Sequence, residues 1–143
     1  MKKFTRALII LLLLTAGTAQ AQRLAVTSSV ANIRSGPGTK YQIVWKVEKY
    51  HPIEVIETSG DWYHFRDFEN DEGWIHKSLT GQIPTVITNS DECNIRSGPA
   101  TSHKIVFKVE KGIPFKVIGR QEKWIHIEHA DGDRGWIYST LVW

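Results

Sequence analysis

The chain has 143 residues, 41% of them hydrophobic, with 18 Lys and Arg against 15 Asp and Glu and a single cysteine. Lys2, Lys3 and Arg6 account for the whole surplus of positive charge; without them the two signs balance at fifteen each. A nucleic-acid footprint needs an excess of basic residues gathered on one face, so that class is excluded. With Cys93 alone, so is an intramolecular disulfide.

In chain order, the first segment reads MKKFTRALIILLLLTAGTAQAQ: basic residues, an apolar run from Ala7 to Leu14, then small residues ending in Ala19-Gln20-Ala21. This is the pattern of a secretory signal peptide with an A-x-A cleavage site, which predicts a leader over residues 1–21 and a mature chain starting at Gln22. The apolar run falls well short of the roughly 20 residues that span a bilayer, so no stable membrane insertion is expected. The protein is expected to be exported, either to a periplasm or to the exterior and the cell wall.

Sliding the mature chain against itself by 62 positions aligns residues 32–81 with 94–143 without a gap, and 23 of the 50 pairs are identical. The hexapeptide NIRSGP occurs at Asn32 to Pro37 and again at Asn94 to Pro99. A long internal period means that one structural unit has been copied. Two domains of about 60 residues are therefore predicted, over 22–80 and 86–143, with a short Gly- and Pro-containing linker over 81–85.

Neither copy shows apolar residues at helical spacing. Short runs rich in Val, Ile, Trp, Tyr and Phe alternate instead with turn residues: VANIR, YQIVWKV, IEVIE, WYHFRD and a final WI in the first copy. That pattern predicts an all-β fold of two small barrels in tandem. The period of two assigns Tyr63 and Phe65, aligned with Ile125 and Ile127, to the core, and turns Trp62, His64, Trp124 and His126 outward. In NIRSGP, Ile33 and Ile95 are core candidates, while Gly and Pro supply turn geometry.

The succession of NIRSGP, a β-rich stretch, GDWYHF and GWIHKSL, with EKWIHI and GWIYSTL in the second copy, resembles the bacterial SH3 family over essentially the whole mature chain. The resemblance implies SH3-like β-barrels of five or more strands, a long first loop around RSGP, and a short 3₁₀ turn near His76 to Leu79 and Tyr138 to Leu141. Gly60-Asp61-Trp62 is also similar to the GDWW stretch of eukaryotic SH3 domains, whose first Trp lines a peptide groove. That likeness implies a groove between the RSGP loop and Trp62, or Trp124 in the second copy. Glu122-Lys123 stand where the first copy has Gly-Asp, so the two grooves are not expected to be identical.

The candidate ligand-binding residues follow from these two lines of reasoning. Trp62 and Trp124 offer flat apolar area and a cation–π surface to a peptide or amino sugar, or else cover one end of a barrel. Arg34 and Arg96, beside Ser35 and Ser97, point outward; each either clamps a carboxylate or pairs with a loop acid such as Asp71 or Asp133. Tyr41, Trp45, His103 and Phe107 either form a second groove wall or complete the core. Trp74 and Trp136, each after a Gly in a central strand, read as structural.

No catalytic, metal or cofactor site is expected. His126 and His129 are three apart, which on a strand places them on opposite faces, and zinc needs at least three converging protein ligands. Cys93 is in phase with the core and reads as an inert buried thiol. The expected function is that of a non-catalytic module binding peptidoglycan or cell-wall peptides. The alternative is an adaptor that holds an envelope enzyme or complex by protein–protein contact.

Overall fold

The computed structural model describes residues 21–143; the expected leader, apart from its last residue Ala21, lies outside the described residues. The first domain is built from β1 (Gln22–Val26), β2 (Val30–Arg34), β3 (Ile43–Glu48), β4 (Pro52–Ser59), β5 (Trp62–Arg66), β6 (Glu72–His76) and β7 (Thr80–Gly81). The second contains β8 (Thr85–Ile87), β9 (Glu92–Arg96), β10 (Ile105–Glu110), β11 (Pro114–Gln121), β12 (Trp124–Glu128) and β13 (Arg134–Tyr138). One sheet runs β3-β2-β6-β5-β4-β1-β7 and the other β10-β9-β13-β12-β11-β8. The predicted all-β tandem fold is what is observed, and single 3₁₀ turns occur at Lys77–Leu79 and Ser139–Leu141.

Each sheet coils around its own core. In the first domain Ile33, Ile53, Phe65 and Ile75 are fully buried; in the second, Ile95, Phe115, Ile127 and Ile137 are. These residues alternate with half-buried ones along their strands, as a sheet with one inward face requires. Tyr63 departs from its predicted place: it stays partly exposed at the edge of the core, with the Lys77 ammonium 5.2 Å from its ring centre. The smaller Ile125 at the matching position is buried.

Strands at the ends of the repeat do work that periodicity did not show. β1 pairs with β4 and with β7, so the beginning and the end of the first unit meet. In the second unit Ile87 and Trp143 exchange backbone bonds of 3.0 and 2.9 Å, and Val142 bridges Thr88. Gly81 and Thr85, read from sequence as linker ends, therefore belong to strands β7 and β8, where their backbones complete the ladders. The Val117 N–H also donates to the Pro84 carbonyl at 2.8 Å, tying the remaining connection to the second domain.

Two β-bulges recur in both domains and account for the exposure of Val44, Val106 and Ile56. The register passes from Ile33↔Trp45 to Arg34↔Ile43, leaving Val44 unpaired; Val106 is the equivalent in the second domain. Ile56 is similarly skipped between β4 and β5. A bulged residue leaves the pleat's alternation, so an apolar side chain there need not face the core.

Where the copies differ, burial has changed the chemistry. His51 and Asp67 are both buried in the first domain, with His51 Nε2 at 4.0 Å from Asp67 Oδ2 and no hydrogen-bond partner. Asp67 Oδ1 accepts the N–H bonds of Glu69 and Asp71, which shapes the β5–β6 loop. The second domain has Ile113 and His129 at these positions. Burial pushes the His51 pKa down from 6.5 to about 4. Between those values the unfolded chain holds a proton that the folded chain does not. Stability of the first domain is therefore fully present above about pH 6.5 and falls as pH drops toward 4, by on the order of 2–3 kcal/mol. Burial raises the Asp67 pKa, and that acts with the opposite sign at the acid end. Urea denaturation at pH 7 and pH 4.5 should show this loss, and His51→Ile, which installs the residue of the second domain, should remove most of it. An unchanged pH dependence in that variant would contradict the assignment.

Candidate functional site

Each domain carries a groove between its RSGP loop and the outer face of its central strands. In the first it is lined by Asn32, Arg34, Thr39, Trp62, His76 and Leu79 and encloses about 250 Å³. In the second, the equivalent Asn94, Arg96, Thr101, Trp124, Tyr138 and Leu141 line about 580 Å³. Six positions thus recur at matched places, and four of the twelve residues, Arg34, Arg96, Trp62 and Trp124, are ones the sequence singled out for binding.

Trp62 lies on β5 directly across from His76 on β6, and Trp124 across from Tyr138, so each indole has an aromatic neighbour on the outer face. The pairs meet edge to face, with ring centres 5.2 and 5.3 Å apart. Such contacts hold the indole in one orientation while leaving part of its face to solvent. Both tryptophans are half-buried. One register step further, His64 stacks on Trp74 at 4.7 Å and His126 on Trp136 at 4.5 Å. Trp74 and Trp136 are structural in this sense, buttressing the outer face instead of filling the core. Burial lowers the His126 pKa, and Arg134 adds to that while Glu128 opposes it, so His126 is neutral above its ordinary titration range.

The arginines have a different occupation from either expected one. Arg34 Nη1 donates to the carbonyls of Thr39 and Tyr41 at 3.1 and 2.9 Å; Arg96 Nη1 donates to those of Thr101 and His103, both at 3.0 Å. Neither guanidinium pairs with Asp71 or Asp133. Each Arg braces the far side of the loop from the strand that begins it, and only its remaining N–H groups face the groove. The loop is closed further by the Ser35 N–H donating to Gln42 and the Ser97 N–H to Lys104, at 3.0 and 2.9 Å. Gly36 and Gly98 are needed because the rings of Tyr41 and His103 lie where a Cβ would stand.

Six expected ligand contacts are accordingly elsewhere. Ser35 and Ser97 face solvent with their backbones committed to the loop, and Tyr41 and His103 cover the loop glycines from outside. Trp45 packs on the first core, with its ring centre 6.2 Å from that of Phe65. Phe107 packs on the second and lines a separate cleft of about 470 Å³ with Ile113, Phe115 and His129. The groove residues that sequence reasoning missed are Thr39, His76, Leu79 and their partners. Alternation along β6 and β13 carries that signal for His76 and Tyr138, since residues 74 and 76 share a face with 62 and 64 only after the strands are paired.

The grooves differ in charge. Glu92 lines the second beside Arg96 and meets Lys108 at 3.2 Å, whereas the first has exposed Val30 at that position. His76 caps the first 3₁₀ turn, accepting from the Ser78 N–H at 3.2 Å; Tyr138 makes no such cap. Cys93 is fully buried, its thiol 3.5 Å from the Ser90 carbonyl, and burial raises its pKa, so it is not a poised nucleophile. Among the described residues no group of three His, Cys, Asp or Glu side chains could hold a metal ion, and no helix is long and apolar enough to cross a membrane.

Two small barrels, each presenting an indole beside an arginine-braced loop, define a tandem binding-module architecture. The chain belongs to the bacterial SH3 domain family, whose model matches residues 27–81 and again 89–143. It is 28% identical over 136 residues to YrvJ of Bacillus subtilis (strain 168), named as an N-acetylmuramoyl-L-alanine amidase, covering 87% of this chain and 26% of that protein. It is 39% identical over 59 residues to LytH of Staphylococcus epidermidis, named as a cell wall amidase, covering 41% of this chain and 19% of that one. The chain thus spans about a quarter or less of these relatives. Among solved structures it is similar to NlpC1 from Trichomonas vaginalis, at 15% identity and a TM-score of 0.39, over 90% of this chain and 47% of that one.

The loop brace makes a direct expectation. Arg96→Gln, which cannot span both carbonyls, should cost about 1–2 kcal/mol and speed hydrogen exchange at the Ser97 amide, with the first domain unaffected. Undiminished protection of Ser97 would show that the loop holds its shape without the guanidinium.

Proposed function

We propose that the chain is an exported, non-catalytic binding protein whose two grooves take short peptide segments of the cell wall, the stem or cross-link peptides of peptidoglycan. The observation that carries this reading is the duplicated groove: an oriented, half-open indole facing an arginine-braced loop across the groove, in both domains. The indole offers apolar area to a peptide side chain or amino sugar. The free N–H groups of the guanidinium, already fixed by the loop carbonyls, suit a carboxylate. The names of the relatives support a wall ligand, since one is called a cell wall amidase and the other an N-acetylmuramoyl-L-alanine amidase, and this chain matches only part of each.

Groove chemistry separates the two sites. The first, smaller and with Arg34 as its cation, fits a single carboxylate-bearing side chain. The second, wider and with both Arg96 and Glu92, fits a peptide segment carrying an amine and a carboxylate. Two modest affinities on one short connection add through effective concentration when both grooves reach the same polymer. Thiol catalysis has no place in this reading, because the one cysteine is sealed in the core.

An adaptor role is the second reading, favoured by one feature. β3 and β10 are edge strands that expose the same aliphatic pair, Ile43-Val44 and Ile105-Val106, and an exposed edge can accept a strand from a partner.

Co-sedimentation with purified sacculi distinguishes them. The purified protein should be retained. Trp62→Ala and Trp124→Ala should each weaken retention, about 30-fold in the affected groove, and together abolish it while the circular dichroism stays unchanged. Retention that survives the double substitution would remove the grooves from wall binding. Absence of retention in the unaltered protein would turn attention to the strand edges.

A further inference from the structure

The junction between the domains forms a notch of about 380 Å³, lined by Arg23 from β1, Gln82, Ile83 and Pro84 from the connection, Thr85 from β8 and Arg120 from β11. No groove residue belongs to it. Its two arginines lie outside the logic of the repeat: the residue matching Arg23 is Thr85, and the one matching Arg120 is Thr58.

The notch is built but electrostatically incomplete. The Arg23 guanidinium stacks 4.1 Å from the ring centre of Trp143 and donates to the Thr85 carbonyl at 3.3 Å, which fixes it at the junction although the residue as a whole is exposed. Among the described residues no carboxylate lies within salt-bridge distance of Arg23 or Arg120. Glu54 sits opposite Arg23 in the β1–β4 register but meets Arg66 at 3.7 Å. Partial desolvation lowers the Arg23 pKa, Glu54 opposes that, and the charge of Arg120 adds to it. The Arg23 guanidinium nevertheless remains charged, since Arg does not deprotonate in proteins. Thr85 is buried, and its Oγ1 has no hydrogen-bond partner.

We infer that this notch is an oxyanion site, taking a carboxylate or phosphate group between Arg23 and Arg120, with the Gln82 side chain and the Thr85 hydroxyl as further donors. An anion there relieves the repulsion of two like charges and offers an acceptor to the Thr85 hydroxyl, which has none in the protein. Because Arg23 comes from the first domain and Arg120 from the second, the complete site exists only when the domains are docked, and occupancy stiffens the junction. The site is independent of the two grooves.

The test is a titration of the purified protein with inorganic phosphate and, separately, with glutarate, at constant ionic strength, followed by nuclear magnetic resonance of arginine Nε–H and backbone signals. Saturable shifts are expected at Arg23, Arg120, Gln82 and Thr85. Arg23→Gln and Arg120→Gln should each weaken binding about tenfold, whereas Trp62→Ala should leave it unchanged. Saturation by both anions supports the shared chemistry, and saturation by one alone identifies the source as phosphate or carboxylate. Shifts that fail to saturate with either anion, or that persist at full strength in Arg120→Gln, would overturn the site.

Discussion

The guanidinium of Arg34 holding the carbonyls of Thr39 and Tyr41, and that of Arg96 holding Thr101 and His103, is the contact on which the groove depends. In each case the strand that supplies the Arg supplies a fully buried Ile immediately before it. The side chain thus leaves a rigid base, and the loop it braces becomes one wall of a groove whose other wall is an indole on β5 or β12. This answers why NIRSGP appears twice. Ile serves the core, Arg and Gly shape the loop, and the unused face of Arg is what remains for a ligand.

The two copies keep this device while diverging around it. A buried His51 and Asp67 in one domain become Ile113 and His129 in the other, and Trp45 becomes Phe107. These exchanges lie on the inner side and the β5–β6 or β12–β13 loop, away from the groove. Groove differences are of another kind: Val30 against Glu92 and His76 against Tyr138 alter charge and width without disturbing the brace. Core and groove have changed separately because they occupy opposite faces of the same strands.

Much of the fold was legible in the sequence because duplication marks a unit and alternation marks a face. The repeat gave the domain count, and β5 and β12 turned Trp62 and Trp124 outward as alternation requires. What stayed hidden depends on pairing between distant segments. β7 is two residues long and is held by β1, which itself pairs with the distant β4, and bulges at Val44 and Ile56 shift register without a Gly or Pro to announce them. A third of the site was visible for the same reason. Arg34 and Trp62 sit on regular strands, whereas Thr39 and Leu79 reach the groove through loop geometry. Trp45, an aromatic beside the loop in sequence, turned inward because it is in phase with the buried Val47 and pairs opposite Ile33, while the bulge at Val44 turns Ile43 outward.

The central claim is that the indole and the loop arginine of each domain share one ligand. Its most direct measurement is to add a soluble peptidoglycan stem peptide to isotopically labelled protein and follow the indole Nε1–H signals of Trp62 and Trp124 together with the arginine Nε–H signals of Arg34 and Arg96. The account predicts saturable shifts at the indole and arginine of the same domain, at matching concentrations. Shifts at neither pair, or at an indole without its arginine, would contradict it.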